Sequence, residues 1–111
     1  MIKQFHDFEL AWAAGFVEGE AYIGLKNGRR RKDGTRPAVG LDLVVSQNER
    51  GRLVRLQKAV GGKGSIRGPY GKSHKWGVSC ASAVEVLELL WPHLGPEFRR
   101  RTKKLEAQYG R

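Results

Sequence analysis

The stretch FELAWAAGFVEGEAYIGLK, Phe8 to Lys26, changes its period in the middle, and that change decides the fold. Up to Glu20 the apolar residues follow a helical spacing, and Asp7 stands where its carboxylate can accept hydrogen bonds from the orphan amides of a first turn. A helix from about Phe8 to Glu20 is expected. Within it Ala11, Gly15 and Gly19 recur every four residues, so three of the smallest side chains share one stripe. An interior helix glycine costs about 0.5–1 kcal/mol relative to alanine. The stripe therefore predicts a close approach by another backbone, from the same chain or from a second copy. After Glu20 the pattern alternates, with Ile23 and Leu25 on one side and Tyr22, Gly24 and Lys26 on the other, as in a half-buried strand.

Outward from this stretch the plan repeats. Lys32 to Thr35 carries the Asp-Gly signal of a hairpin turn, and the next strand sets Val39, Leu41, Leu43 and Val45 against Gly40, Asp42, Val44 and Ser46. Asn48 can cap a helix bearing Leu53, Leu56 and Val60, which Gly61 and Gly62 stop. A second strand pair, Lys63 to Arg67 and Lys75 to Cys80, puts Trp76, Val78 and Cys80 on one face, which marks Cys80 as a core residue. Ser82 and Glu85 have the spacing of a capping box before Val84, Leu87, Leu90 and Trp91; Pro92 ends that helix and Pro96 opens the last. The order is helix, hairpin, helix, hairpin, helices: an α+β fold with one antiparallel sheet and its helices on one face.

A chain of 111 residues, 40% hydrophobic, is expected to form a single domain over residues 1–111. No stretch approaches the roughly 18 apolar residues of a membrane span. One cysteine without a partner and no secretory leader point to an intracellular, reducing compartment: bacterial or archaeal cytoplasm, or an organelle. The net charge of +10 attracts polyanions, and its distribution is uneven. Residues 1–25 hold Asp7, Glu9, Glu18 and Glu20 against Lys3 alone, whereas no carboxylate interrupts the cations from Arg50 to Val84.

The sheet face away from the helices carries Tyr22, Lys26, Arg30, Lys32, Arg67 and Lys75, with Arg36 beside them. A twisted ribbon of long basic side chains can enter the major groove of duplex DNA; charge alone leaves RNA open. Neither a membrane nor a small-molecule substrate is implied. Glu18 and Glu20 are two apart, so on a helix they point about 200° apart and only one can hold a metal ion at a given site. His6, His74 and His93 lack metal-ligand spacing, and Gly61 to Ser65 lacks the order of a P-loop.

Residues Ala13 to Ala21, AAGFVEGEA, resemble the nine-residue motif of the LAGLIDADG homing endonucleases. Small and apolar residues fall in the same places, and an acid fills each acidic position. The departures are Ala13 for the first leucine, Glu for both aspartates and Ala21 for the closing glycine. The resemblance implies that the sheet forms a saddle on DNA and that a chain with one motif acts as an intron-encoded homodimer, pairing motif helices through Ala11, Gly15 and Gly19. It further implies that Glu20, with Gly19 beside it, binds Mg2+ or another divalent metal over the scissile phosphates. Gln47 would help order water, and Arg99, or Arg100 or Lys103, would stabilise developing charge. The implied activity is metal-dependent double-strand cleavage at a long pseudo-palindromic site. The alternative is a cleavage-inactive DNA-binding regulator or RNA-splicing maturase on the same fold. A ribosomal or nucleoid protein would use the charge but leaves the acidic helix and its glycines without a role.

Overall fold

A computed structural model describes residues 2–26 and 40–109. The chain runs α1 (Ile2–Glu20), β1 (Ala21–Lys26), β2 (Gly40–Gln47), α2 (Arg50–Ala59), β3 (Ser65–Tyr70), β4 (Ser73–Ser79) and α3 (Cys80–Leu90). A 3-10 turn (Trp91–His93) and α4 (Pro96–Tyr109) complete it. The strands form one antiparallel sheet in the order β1-β2-β4-β3, so the second strand of each hairpin lies in the middle. The expected α+β plan, with two hairpins in one sheet and helices on one face, is the one observed.

Strand parity explains the core. Leu41, Leu43 and Val45 are fully buried, as is Trp76, which lies opposite Val45 on β4. Their face meets Leu53 and Leu56 of α2, Val86, Leu87 and Leu90 of α3, and Leu10, Ala13, Ala14 and Val17 of α1 in one apolar cluster. The Trp76 indole N–H donates to the Lys63 carbonyl at 3.0 Å, so the largest core side chain is also satisfied as a polar group. Gly61 and Gly62, at φ 74° and 84°, end α2 with left-handed backbone, and their amides donate to Lys58 and Gln57.

Four local expectations are corrected. Asp7 lies inside α1, because no breaker halts the helix before it and the helix extends back to Ile2. Glu49, not Asn48, precedes α2, and no side-chain cap bond is made there. Ser79 precedes α3, so Ser82 and Glu85 sit within that helix and form no capping box at its start. Cys80 is exposed, not core: at φ 57° it turns the chain from β4 into α3, and strand parity no longer applies to it. The second hairpin is also tighter than its predicted ends, with β3 and β4 meeting at Gly71 and Lys72. The turn at Lys32 to Thr35 and Val39 lie outside the described residues.

Candidate functional site

The helix α1 passes into β1 without a loop, so its last residues stand at one end of the sheet. Its inward side, Leu10, Ala13, Ala14 and Val17, is buried. Its outward side carries Phe8, Ala11, Gly15 and Gly19, all exposed. A Cβ added at Gly15 or at Gly19 would meet nothing within 4 Å. No described part of the chain therefore approaches the small-residue stripe at either glycine, so packing within one chain is not observed among the described residues. Phe5 and Phe8, 69% and 66% exposed, extend this surface toward the start of the helix, a feature missed when the helix was expected to begin at Phe8.

Two acids occupy the last turn of α1, which holds no basic residue. Negative charge at a helix C-terminus is opposed by the macrodipole, so each acid needs a compensating partner. Glu18 has one. Its carboxylate accepts the N–H of Gly95, the residue before Pro96, and so sits at the positive end of α4. This is the second half of a capping box supplied from another helix. Arg100, Arg101 and Lys104 line the same hollow as Glu18. Glu20, on the other side of the helix, is exposed and makes no ion pair or side-chain hydrogen bond among the described residues.

The register brings further residues to this end of the sheet. Ala21, directly after Glu20, pairs with Val45, and two residues beyond Val45 half-buried Gln47 pairs with His74. The buried Nδ1 of His74 has no hydrogen-bond partner among the described residues. Gln47 lines a hollow with Asn48, Glu49 and Arg52. Arg99 is placed differently from expectation: its guanidinium donates twice to the Trp91 carbonyl, at 3.0 and 2.6 Å, and holds the 3-10 turn. Lys103 lies over the Trp91 ring on the same side, while Arg100 is exposed and paired with Glu97 at 2.6 Å.

On the face away from the helices, Tyr22 is 60% exposed, and Arg67 and Lys75 are exposed cross-strand partners. Tyr22 lies over Gly24, where a Cβ would collide with its ring. The ammonium of Lys75 stands 5.8 Å from the centre of the Tyr70 ring. The same parity places Asp42, Val44 and Ser46 on this face, which the alternation of β2 already signalled without naming them as binding residues. Arg30, Lys32, Arg36 and the side chain of Lys26 lie outside the described residues.

The donors available for a cation are oxygens: the Glu20 carboxylate and the Gly19 carbonyl beside it. Such a set suits Mg2+ or Ca2+ rather than a soft metal, and the C-terminal dipole of α1 adds to the attraction for a cation. Among the described residues no group of three or more His, Cys, Asp or Glu comes together. No described helix is long and apolar enough to cross a membrane.

No protein-family model and no curated protein matches the chain in sequence. Solved structures match it in fold. The homing endonuclease I-CvuI, in complex with the I-CreI target in the presence of 2 mM Mg with the DNA not cleaved, superposes with a TM-score of 0.69 and 27% identity. The match covers 82% of this chain and 59% of that one. I-TnaI, also a homing endonuclease, gives 0.70 at 24% identity over 88% of this chain and 69% of its own. I-CeuI, a group I intron-encoded homing endonuclease complexed with DNA, gives 0.64 at 19% identity over 89% and 52%. The chain thus spans about three-fifths of the length of I-CvuI. The motif resemblance and the superpositions agree: the chain is similar in fold to homing endonucleases, those of the LAGLIDADG type among them.

Proposed function

We propose that the chain is a site-specific DNA endonuclease that cuts both strands as a homodimer with a divalent metal. The observation that carries this reading is the division of labour between two neighbouring acids. Glu18 is engaged at the N-terminus of α4, whereas Glu20 stands exposed at the sheet end, beside a bare stripe of Ala11, Gly15 and Gly19. Two copies of α1 meeting along that stripe bring two Glu20 carboxylates to one twofold axis. The pair would offer a divalent cation two carboxylates in place of one.

Each residue then has a task. Glu20 and the Gly19 carbonyl would hold the cation, which would supply Lewis acidity toward the phosphate and neutralise developing charge. Gln47, at the same end of the sheet, orients the attacking water through its amide. Tyr22, Arg67 and Lys75, joined by Lys26, Arg30, Lys32 and Arg36, position the duplex. The supporting cation is drawn from Arg99, Arg100 and Lys103; Arg99 and Lys103 are turned to Trp91, and Arg100 to Glu97. A twofold protein reads two half-sites, so its target is pseudo-palindromic.

The test is incubation of the purified protein with a randomised duplex library, with Mg2+ or with EDTA, and sequencing of the ends. Metal-dependent double-strand cuts at one pseudo-palindromic sequence support the reading. Enrichment of bound duplex without cuts supports the cleavage-inactive regulator instead.

A further inference from the structure

The register lines up the side chains of the DNA-facing sheet surface in three cross-strand rows. Nearest the Glu20 end lie Ser46, Lys75 and Arg67. The middle row is Tyr22, Val44, Gly77 and Ser65. The outer row is Gly24, Asp42 and Ser79. The inner row offers long donors, the middle row the methyls of Val44, and the outer row a carboxylate.

Asp42 is the feature that asks for a reason. An acid on a cationic face weakens its attraction for phosphates, and the strand neighbours of Asp42 are a glycine and a serine, neither able to neutralise it. It shares a hollow with Val44, Ser79 and Arg67, yet makes no ion pair with Arg67 or with any other described cation. Gly77 keeps the floor of the face low where Arg67 crosses it: the guanidinium lies 3.8 Å from the position a Cβ would take. Asp42 and Arg67 thus make no ion pair with each other, and neither has a side-chain hydrogen bond among the described residues.

Successive same-face residues on a strand are about 6.8 Å apart, twice the roughly 3.4 Å rise of duplex DNA per base pair. A strand lying along the major groove therefore meets a new base pair with every second step of DNA. Carboxylates accept from the cytosine amino group, Arg and Lys donate to guanine N7 and O6, and apolar groups contact the thymine methyl.

Resting on the endonuclease reading, we infer that Asp42 is a specificity-determining residue that selects cytosine in each half-site. That position lies outward from a guanine read by Lys75 and Arg67, with a thymine contact by Val44 beside them.

The experiment is selection of bound sequences from a randomised duplex library by the full chain in Ca2+, for the wild type and for Asp42→Ala, Asp42→Asn and Arg67→Ala, with melting curves for each. The wild type is expected to prefer cytosine at the outer position by about 5- to 150-fold. Asp42→Ala flattens that position alone, and Asp42→Asn, which presents an amide suited to adenine, moves the preference there from cytosine to adenine. Arg67→Ala flattens the inner guanine instead. A wild-type profile that Asp42→Ala and Asp42→Asn both leave unchanged overturns the inference while leaving the endonuclease reading in place. A wild type that enriches no sequence overturns both.

Discussion

The two sides of α1 are nearly alike in residue type and opposite in circumstance. Inward, Leu10, Ala13, Ala14 and Val17 are between 0 and 7% exposed, pressed against the sheet and its helices. Outward, Ala11, Gly15 and Gly19 are as small and as apolar, yet nothing in the described chain comes within 4 Å of a Cβ built at either glycine. The two acids divide in the same way, Glu18 held by Gly95 and Glu20 without a described partner. Among the described residues, then, one side of α1 is packed and the other is bare.

The strongest way to break this comparison is to place the same large side chain on each side. Gly15→Leu is expected to leave the monomer folded, and to raise its stability by about 0.5–1 kcal/mol through loss of a helix glycine. It should abolish the dimer, and with it all cleavage. Light scattering and melting curves on one sample separate the two effects; a variant that remains dimeric refutes the stripe as interface. Glu20→Gln should come next in size, with cleavage reduced about 100-fold or more through loss of a metal-facing carboxylate and an unchanged melting temperature. Cutting at the parental rate would remove Glu20 from the site.

On the inward side the readout is stability. Ala14 is fully buried, and Ala14→Leu overpacks the contact with the sheet at about 1–3 kcal/mol, lowering the melting temperature by several degrees. An unchanged melting curve would mean that the inward side yields as freely as the outward one. Glu18→Gln removes a charge from the N-terminus of α4 and should cost about 1 kcal/mol, again by thermal melting. If it instead eliminated cleavage without loss of stability, the roles given to the two acids would be wrong.

Periodicity made the elements and the core faces legible, because α1, β1, β2 and β4 each bury one side and the chain writes that side at period 3.6 or 2. The motif at Ala13 to Ala21 carried the candidate site for the same reason: its acids and glycines are contiguous. What escaped was set by distance or by a single backbone angle. The partner of Glu18 lies 77 residues away, and no local pattern announces it. Cys80 kept the parity of β4 on paper, but its φ of 57° takes it out of the strand. The caps at Asp7, Asn48 and Ser82 failed because a capping residue has a role only where a helix starts, and packing moved all three starts. Arg99 was one of three basic candidates on a helix with five basic residues, and the Trp91 carbonyl that its guanidinium meets has no local signal in the sequence.

The smallest expected effect concerns how α1 is anchored at its other end. Arg55 of α2 donates to both carboxylate oxygens of Glu9, at 3.0 and 2.7 Å, and its guanidinium lies 3.9 Å from the centre of the Trp12 ring. The hydrogen bonds from Arg55 hold the Glu9 carboxyl below its ordinary value of 4.5, opposed by partial desolvation and aided by the charge of the same guanidinium. A carboxyl whose pKa is lower in the folded than in the unfolded state stabilises the fold above the unfolded value, and that contribution disappears as pH falls through the folded one. Glu9→Gln should therefore melt slightly below the wild type at neutral pH and converge with it in acid. The Arg55 side chain is 42% exposed and that of Glu9 17%, so solvent reaches the pair from one side and added salt should narrow the difference at neutral pH in part. Parallel melting curves for the two proteins across the acid range would show that this end of α1 is held by Trp12 and the apolar contacts alone.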